Sequence, residues 1–88
     1  MTLYRIFMIV QERKRGGRVV DVDRKESMVI DNLDTARRIF VDYKNEAACS
    51  FQYATYFGTV ALFEPRVFAD GTLAYWCDEP IEIFRKDG

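Results

Sequence analysis

Residues 32–45, NLDTARRIFVDYKN, have the clearest helical period in this sequence, and strand-like segments lie on both sides of them. Asn32 stands at the N-cap position, where its side-chain oxygen can accept a hydrogen bond from a free N–H group of the first turn. We therefore predict one helix over about residues 32–49, which needs a sheet to lie on. Its apolar residues recur at spacings of three and four, so they share one stripe of the helix: Leu33, Ala36, Phe40, Tyr43 and Ala47.

The residues before this helix predict a β-hairpin. Residues 3–11 are apolar at almost every position, and Gly16-Gly17 tolerates the positive φ that a two-residue hairpin turn requires. A strand that is apolar on both faces must be covered on both, and one helix covers only one. We predict that residues 46–56 cover the second face or that the protein self-associates there as a homodimer.

The residues after the helix predict a second hairpin. Residues 46–56, EAACSFQYATY, fit either a continued helix or a strand, and we place the helix end near Cys49. Residues 58–63, GTVALF, are a core-strand run. Asp70-Gly71 is a two-residue turn signal that would set Phe68 opposite Leu73.

The elements together predict the fold class. Hairpin, helix and hairpin follow one another, and residues 81–84 can add a fifth strand. We predict an α+β fold in ββαββ order, a single domain over residues 1–88, with a mostly antiparallel sheet of four or five strands and one helix on one face.

Composition removes several classes of function. The chain has no histidine, so Ser-His-Asp and Cys-His catalysis are absent, and it has no glycine-rich nucleotide motif. We weighed Asp78, Glu79 and Glu82 as a carboxylate cluster and favour a solvated acidic turn. We expect no catalytic residue, cofactor or metal, and no enzyme activity.

Cysteine usage and hydropathy bear on where the protein works. Cys49 and Cys77 are the two cysteines, and they form no CxxC motif. Two such thiols are typical of a reducing cytoplasm, so we expect a cytoplasmic protein without a disulfide. No apolar run is long enough to span a membrane.

The aromatic residues predict a protein-binding surface. Tyr, Trp and Arg are enriched among interface residues that dominate binding energy, and an acidic turn beside the tryptophan would suit a basic partner. The alternative is that alternate rings on strands belong to the core. The predicted partner-binding residues are Tyr53, Tyr56, Arg66, Tyr75, Trp76, Asp78 and Glu79.

The first hairpin offers a second kind of surface. Its tip carries a cluster of cations that could contact nucleic-acid phosphates. Against this, tip charge also keeps strands soluble, and a pI of 5.4 is low for a dedicated nucleic-acid binder. Residues 1–44 hold ten Lys/Arg and seven Asp/Glu, while residues 45–88 hold three and seven. The candidate nucleic-acid-binding residues are Arg13, Lys14, Arg15 and Arg18.

The pieces LYRIFMIV, NLDTARRIF and GTVALFE followed by ADGTLAYW, with the chain length and element order, resemble small accessory proteins of bacteriophages and mobile elements, anti-CRISPR proteins among them. The resemblance implies a cytoplasmic binder or inhibitor that occupies a site on a host protein without chemistry. It is a resemblance of design, and it assigns no catalytic or binding residue.

Overall fold

A computed structural model describes residues 2–88, and Met1 lies outside the described residues. The α+β class, the helix and a four-stranded antiparallel sheet are confirmed. The elements in chain order are β1 (Arg5–Arg13), β2 (Val19–Glu26), α1 (Leu33–Phe51), β3 (Tyr56–Phe63), β4 (Arg66–Val67), β5 (Leu73–Ala74) and β6 (Glu82–Lys86).

The element order differs from ββαββ because the segments predicted to form the second hairpin lie in two different sheets. β3 ends at Phe63, two residues before Pro65, which has no N–H to give to a ladder. β4 and β5 then form a small sheet of their own, and β6 returns to the main sheet, whose order is β2-β1-β3-β6. The segment predicted as a fifth strand is therefore the fourth strand of the main sheet.

Helix α1 follows the predicted stripe. The Asn32 side chain accepts a hydrogen bond from the Thr35 N–H at 2.9 Å, which confirms the N-cap. The helix continues to Phe51, past the predicted end near Cys49, because Phe51 stays on the buried stripe. At this end the Lys86 ammonium donates to the carbonyls of Phe51 and Tyr53, at 2.7 and 2.8 Å.

The core lies between α1 and one face of the main sheet. Alternate residues of the two central strands point towards the helix, as the two-residue period of a strand requires. Buried helix residues, among them Phe40 and Phe51, complete the cluster. The largest fully buried side chains all lie on these two strands: Ile6, Met8, Val10, Val60 and Leu62.

The other sheet face, which we call the open face, is covered at one end. The expectation that residues 46–56 would cover it is wrong, since α1 continues to Phe51 and β3 begins at Tyr56. The segment after β5 packs there instead, through Tyr75 and Trp76. Strand pairing places two rows of side chains on this face: Glu26, Phe7, Ala61 and Ile83, then Arg24, Ile9, Thr59 and Arg85.

Both hairpin loops are one residue longer than the two-residue turns predicted. At the first, the Lys14 N–H donates to the Arg18 carbonyl at 2.6 Å, so the loop includes Arg15 as well as the two glycines. Both glycines have positive φ, 88° and 87°, as the sequence indicated.

The second hairpin loop shifts a predicted strand pair. Phe68 lies opposite Thr72 rather than Leu73, and the Phe68 N–H donates to the Thr72 carbonyl at 2.9 Å. The Asp70 carboxylate accepts from the Thr72 N–H at 2.9 Å, and Gly71 takes a positive φ of 85°. These two local features favour a three-residue loop over a two-residue turn.

Candidate partner-binding surface

Four aromatic rings pack at one end of the open face; we call Phe7, Phe63, Tyr75 and Trp76 the aromatic cluster. The Trp76 ring centroid lies 4.3 Å from that of Phe63 and 5.1 Å from that of Phe7. Tyr75 lies 5.6 Å from Phe7 by the same measure. The tilted and edge-on arrangements suit the quadrupoles of the rings, so the cluster holds the loop on the sheet.

Polar contacts fix the loop that carries Tyr75 and Trp76. The Tyr75 hydroxyl donates to the Leu3 carbonyl at 2.7 Å, and burial raises the pKa of this phenol. The Arg66 guanidinium donates to the Asp78 carboxylate at 2.5 Å, and this hydrogen bond raises the pKa of Arg66. The loop is thus tied to the chain before β1 and closed on itself across β4 and β5.

Trp76 has an unusual backbone conformation. Its φ is 69°, the one positive value among non-glycine residues 2–88. The left-handed conformation costs a residue with a side chain roughly 1–2 kcal/mol. The residue remains 51% exposed, despite the contacts of its ring with two others. Residues held in such strained backbone conformations cluster at functional sites.

A groove of about 440 Å³ opens beside Trp76 on the open face. Phe7 and Ile9 form its floor, Trp76 forms one wall, and Arg24 and Glu26 of β2 line the opposite side. The groove therefore has an apolar base and a charged rim, which is the usual division of a protein interface.

The structure divides the predicted partner-binding residues into two groups. Arg66, Tyr75, Trp76 and Asp78 come together in one loop, with Glu79 exposed beside Asp78. Tyr53 and Tyr56 pack on each other elsewhere, with ring centroids 5.5 Å apart.

The predicted residues therefore do not lie on one continuous surface, and β3 explains the separation. Tyr56 begins this strand, whereas Phe63, which contacts Trp76, ends it. Eight residues of strand separate the two ends by about 20 Å.

Sequence reasoning missed the sheet residues on which Trp76 and the groove rest. Phe7 and Ile9 lay on the second apolar face of the first strand, which was the available signal. Nothing in the sequence paired them with Trp76, because that contact joins segments about seventy residues apart. Glu26 carried no signal of its own, since its place on the open face depends on the register of β2.

The basic hairpin tip forms a second candidate surface at the far end of β1. The Arg13 guanidinium lies 5.3 Å from the Phe57 ring centroid, and Lys14 pairs with Glu12 at 2.9 Å. A shallow groove of about 480 Å³ is lined by Arg13, Lys14 and Arg15 together with Phe57. Arg18 is exposed on the same hairpin, outside this lining.

Two of the three acidic residues weighed as a cluster engage separate cations. Asp78 pairs with Arg66, and Glu82 pairs with Arg37 at 3.5 Å. Within residues 2–88, no three side chains of the metal-binding types converge on one point. Cys49 and Cys77 are both exposed free thiols.

Comparison of the chain with family models, curated proteins and solved structures finds no match. Among the described residues, no helix combines the length and apolar character needed to cross a membrane.

Proposed function

We propose that this protein is a non-enzymatic interaction domain that binds a protein partner through the groove beside Trp76 and thereby modulates or inhibits it. One observation carries the proposal: the fold holds a half-exposed indole at a φ of 69° above an apolar groove. Trp is the residue most enriched where interface binding energy concentrates. The resemblance to phage accessory proteins supports inhibition by occupancy of a site on a host protein.

Capture experiments with matched variants test this proposal. The immobilised wild-type protein should retain a partner that the Trp76→Ala variant releases. Tyr53→Ala is the control, because it removes a ring of similar exposure, 59%, at the other end of β3. A partner retained equally by wild type and Trp76→Ala, or lost only with Tyr53→Ala, would contradict the proposal.

A second candidate function, nucleic-acid binding, is supported by the charge of the hairpin tip. Arg13, Arg15 and Arg18 are exposed, and none of them pairs with a carboxylate of residues 2–88. The Phe57 ring beside Arg13 offers a stacking partner for a base.

The salt dependence of binding to single-stranded DNA or RNA tests the second candidate. Replacing two phosphate contacts by Arg13→Gln and Arg15→Gln should lower the slope of log K against log salt by about 1.4. The control is a double variant on the helix surface, Arg38→Gln with Lys44→Gln, which removes the same charge. The absence of any complex at low salt would rule out this function.

A further inference from the structure

We propose that the groove beside Trp76 receives a cationic side chain of the partner, specifically an arginine guanidinium stacked on the indole and paired with Glu26. The inference rests on the proposed function, because it names the chemistry that the same groove would recognise.

The strand register places the carboxylate of Glu26 in the same row of open-face side chains as Phe7. Glu26 lies directly opposite Phe7, and Phe7 is one of the two rings that touch Trp76. Arg24 lies one row further along, opposite Ile9. Side chains two residues apart on one face of a strand are separated by about 7 Å. A ligand that lies against Phe7 and Trp76 on the open face therefore meets Glu26 before it meets Arg24.

The cations around this groove are engaged within the protein. Arg66 pairs with Asp78. The Lys25 ammonium donates a hydrogen bond to the Glu46 carboxylate of α1 at 2.9 Å. Arg24 lies 3.6 Å from Asp21.

Apart from Asp78, the carboxylates close in the fold or in sequence to the aromatic cluster have no cation partner in the described part of the chain. Glu26 and Glu79 are exposed and pair with no cation of residues 2–88, and the same is true of Glu64, which directly follows Phe63. An incoming cation would supply the missing partner, whereas an incoming carboxylate would meet unpaired charge of its own sign.

The chemistry of the groove favours arginine over lysine. Indole is the best aromatic partner for a cation, and the planar guanidinium can stack on it while its N–H groups donate to a carboxylate. The methylene stem of an arginine can lie on Phe7 and Ile9, which form the groove floor. A lysine ammonium lacks the planar face, so it gains less from the same groove.

Fluorescence titration tests the inference, since Trp76 is the one tryptophan of the chain and reports on this groove. The probe is a capped peptide of alternating glycine and arginine. Matched peptides replace arginine by lysine, by glutamate or by citrulline, which has the same shape without the charge. We expect the arginine peptide to change the Trp76 emission most strongly and the glutamate peptide to leave it unchanged.

Charge variants test whether the groove prefers a cation, because removing a negative or a positive charge should change affinity in opposite directions. Glu26→Gln should weaken binding of the arginine peptide by about threefold, the size of a half-exposed charge pair. Arg24→Gln should strengthen it, because a nearby like charge is removed. Asp42→Asn, which removes one negative charge from the exposed helix surface, should leave affinity unchanged.

Two outcomes would overturn the inference. Preferential binding of the glutamate peptide, with the opposite signs for Glu26→Gln and Arg24→Gln, would make the groove an anion site. Failure of every peptide to perturb Trp76 would also overturn it. In either case the proposed function stands or falls separately, by the capture of a partner with wild type and Trp76→Ala.

Discussion

At the scale of single residues, Gly58 shows how closely the two central strands approach. Its φ is 152°, and a Cβ built there would lie 2.0 Å from the Ile9 carbonyl oxygen. Because the obstacle is backbone of the neighbouring strand, no side chain can move aside. We expect Gly58→Ala to destabilise the fold by about 3 kcal/mol or more, as strain at a special backbone position does. Denaturant unfolding measures this, and Gly16→Ala, which meets no atom, is the control for a positive-φ glycine.

Tyr75 gives a second prediction at this scale. Tyr75→Phe removes the hydrogen bond to the Leu3 carbonyl and should lower the free energy of unfolding by about 1 kcal/mol at neutral pH. The folded-state pKa of Tyr75 is raised above its usual 10.0, chiefly by burial. The stability that the neutral Tyr75 phenol contributes is therefore fully present below pH 10 and is lost as pH rises through the folded pKa. The difference between wild type and Tyr75→Phe should shrink above pH 10, and a difference that grew there would contradict this assignment.

At the scale of elements, the sequence pattern predicted the structure that depends on residues close together in the chain. The stripe from Ala36 to Ala47 and the Asn32 cap fix α1 without reference to distant residues. The position of the segment after Phe63 could not be predicted from a local pattern. Whether Tyr75 and Trp76 lie on the sheet depends on Phe7, far along the chain, and on a left-handed backbone at Trp76 that propensity disfavours. The sequence therefore singled out Tyr75 and Trp76 as candidates but not the sheet residues on which they pack.

The end of α1 allows an element-scale prediction. The last turn of the helix holds no basic residue of its own, and Lys86 of β6 supplies a cation to the terminal carbonyls. Lys86→Met keeps the aliphatic stem and removes two hydrogen bonds, so it should cost about 1–2 kcal/mol. Amide exchange should accelerate in the last helical turn. Arg85→Met, the neighbouring residue on the open face, should leave that turn unchanged.

At the scale of the whole molecule, the uncovered part of the open face bears on self-association. Ile83 is 52% exposed there, beside Ala61 and in the row next to Thr59. The outer edge of β2 is a poor site for a second copy, because an extra residue at Val22 interrupts its register and charged residues follow. Of these two surfaces, the open face is therefore the one through which we expect a homodimer to pack.

Light scattering over a concentration series measures this last prediction. If the homodimer forms through the open face, Ile83→Glu should convert it to a monomer, because it places a charge in the apolar part of that face. Val22→Glu, on the β2 edge and of similar exposure at 45%, should leave the dimer intact. The arginine peptide should dissociate the dimer if both use the groove beside Trp76, since one face cannot hold two occupants. A wild-type protein that stays monomeric at high concentration would contradict self-association through the open face.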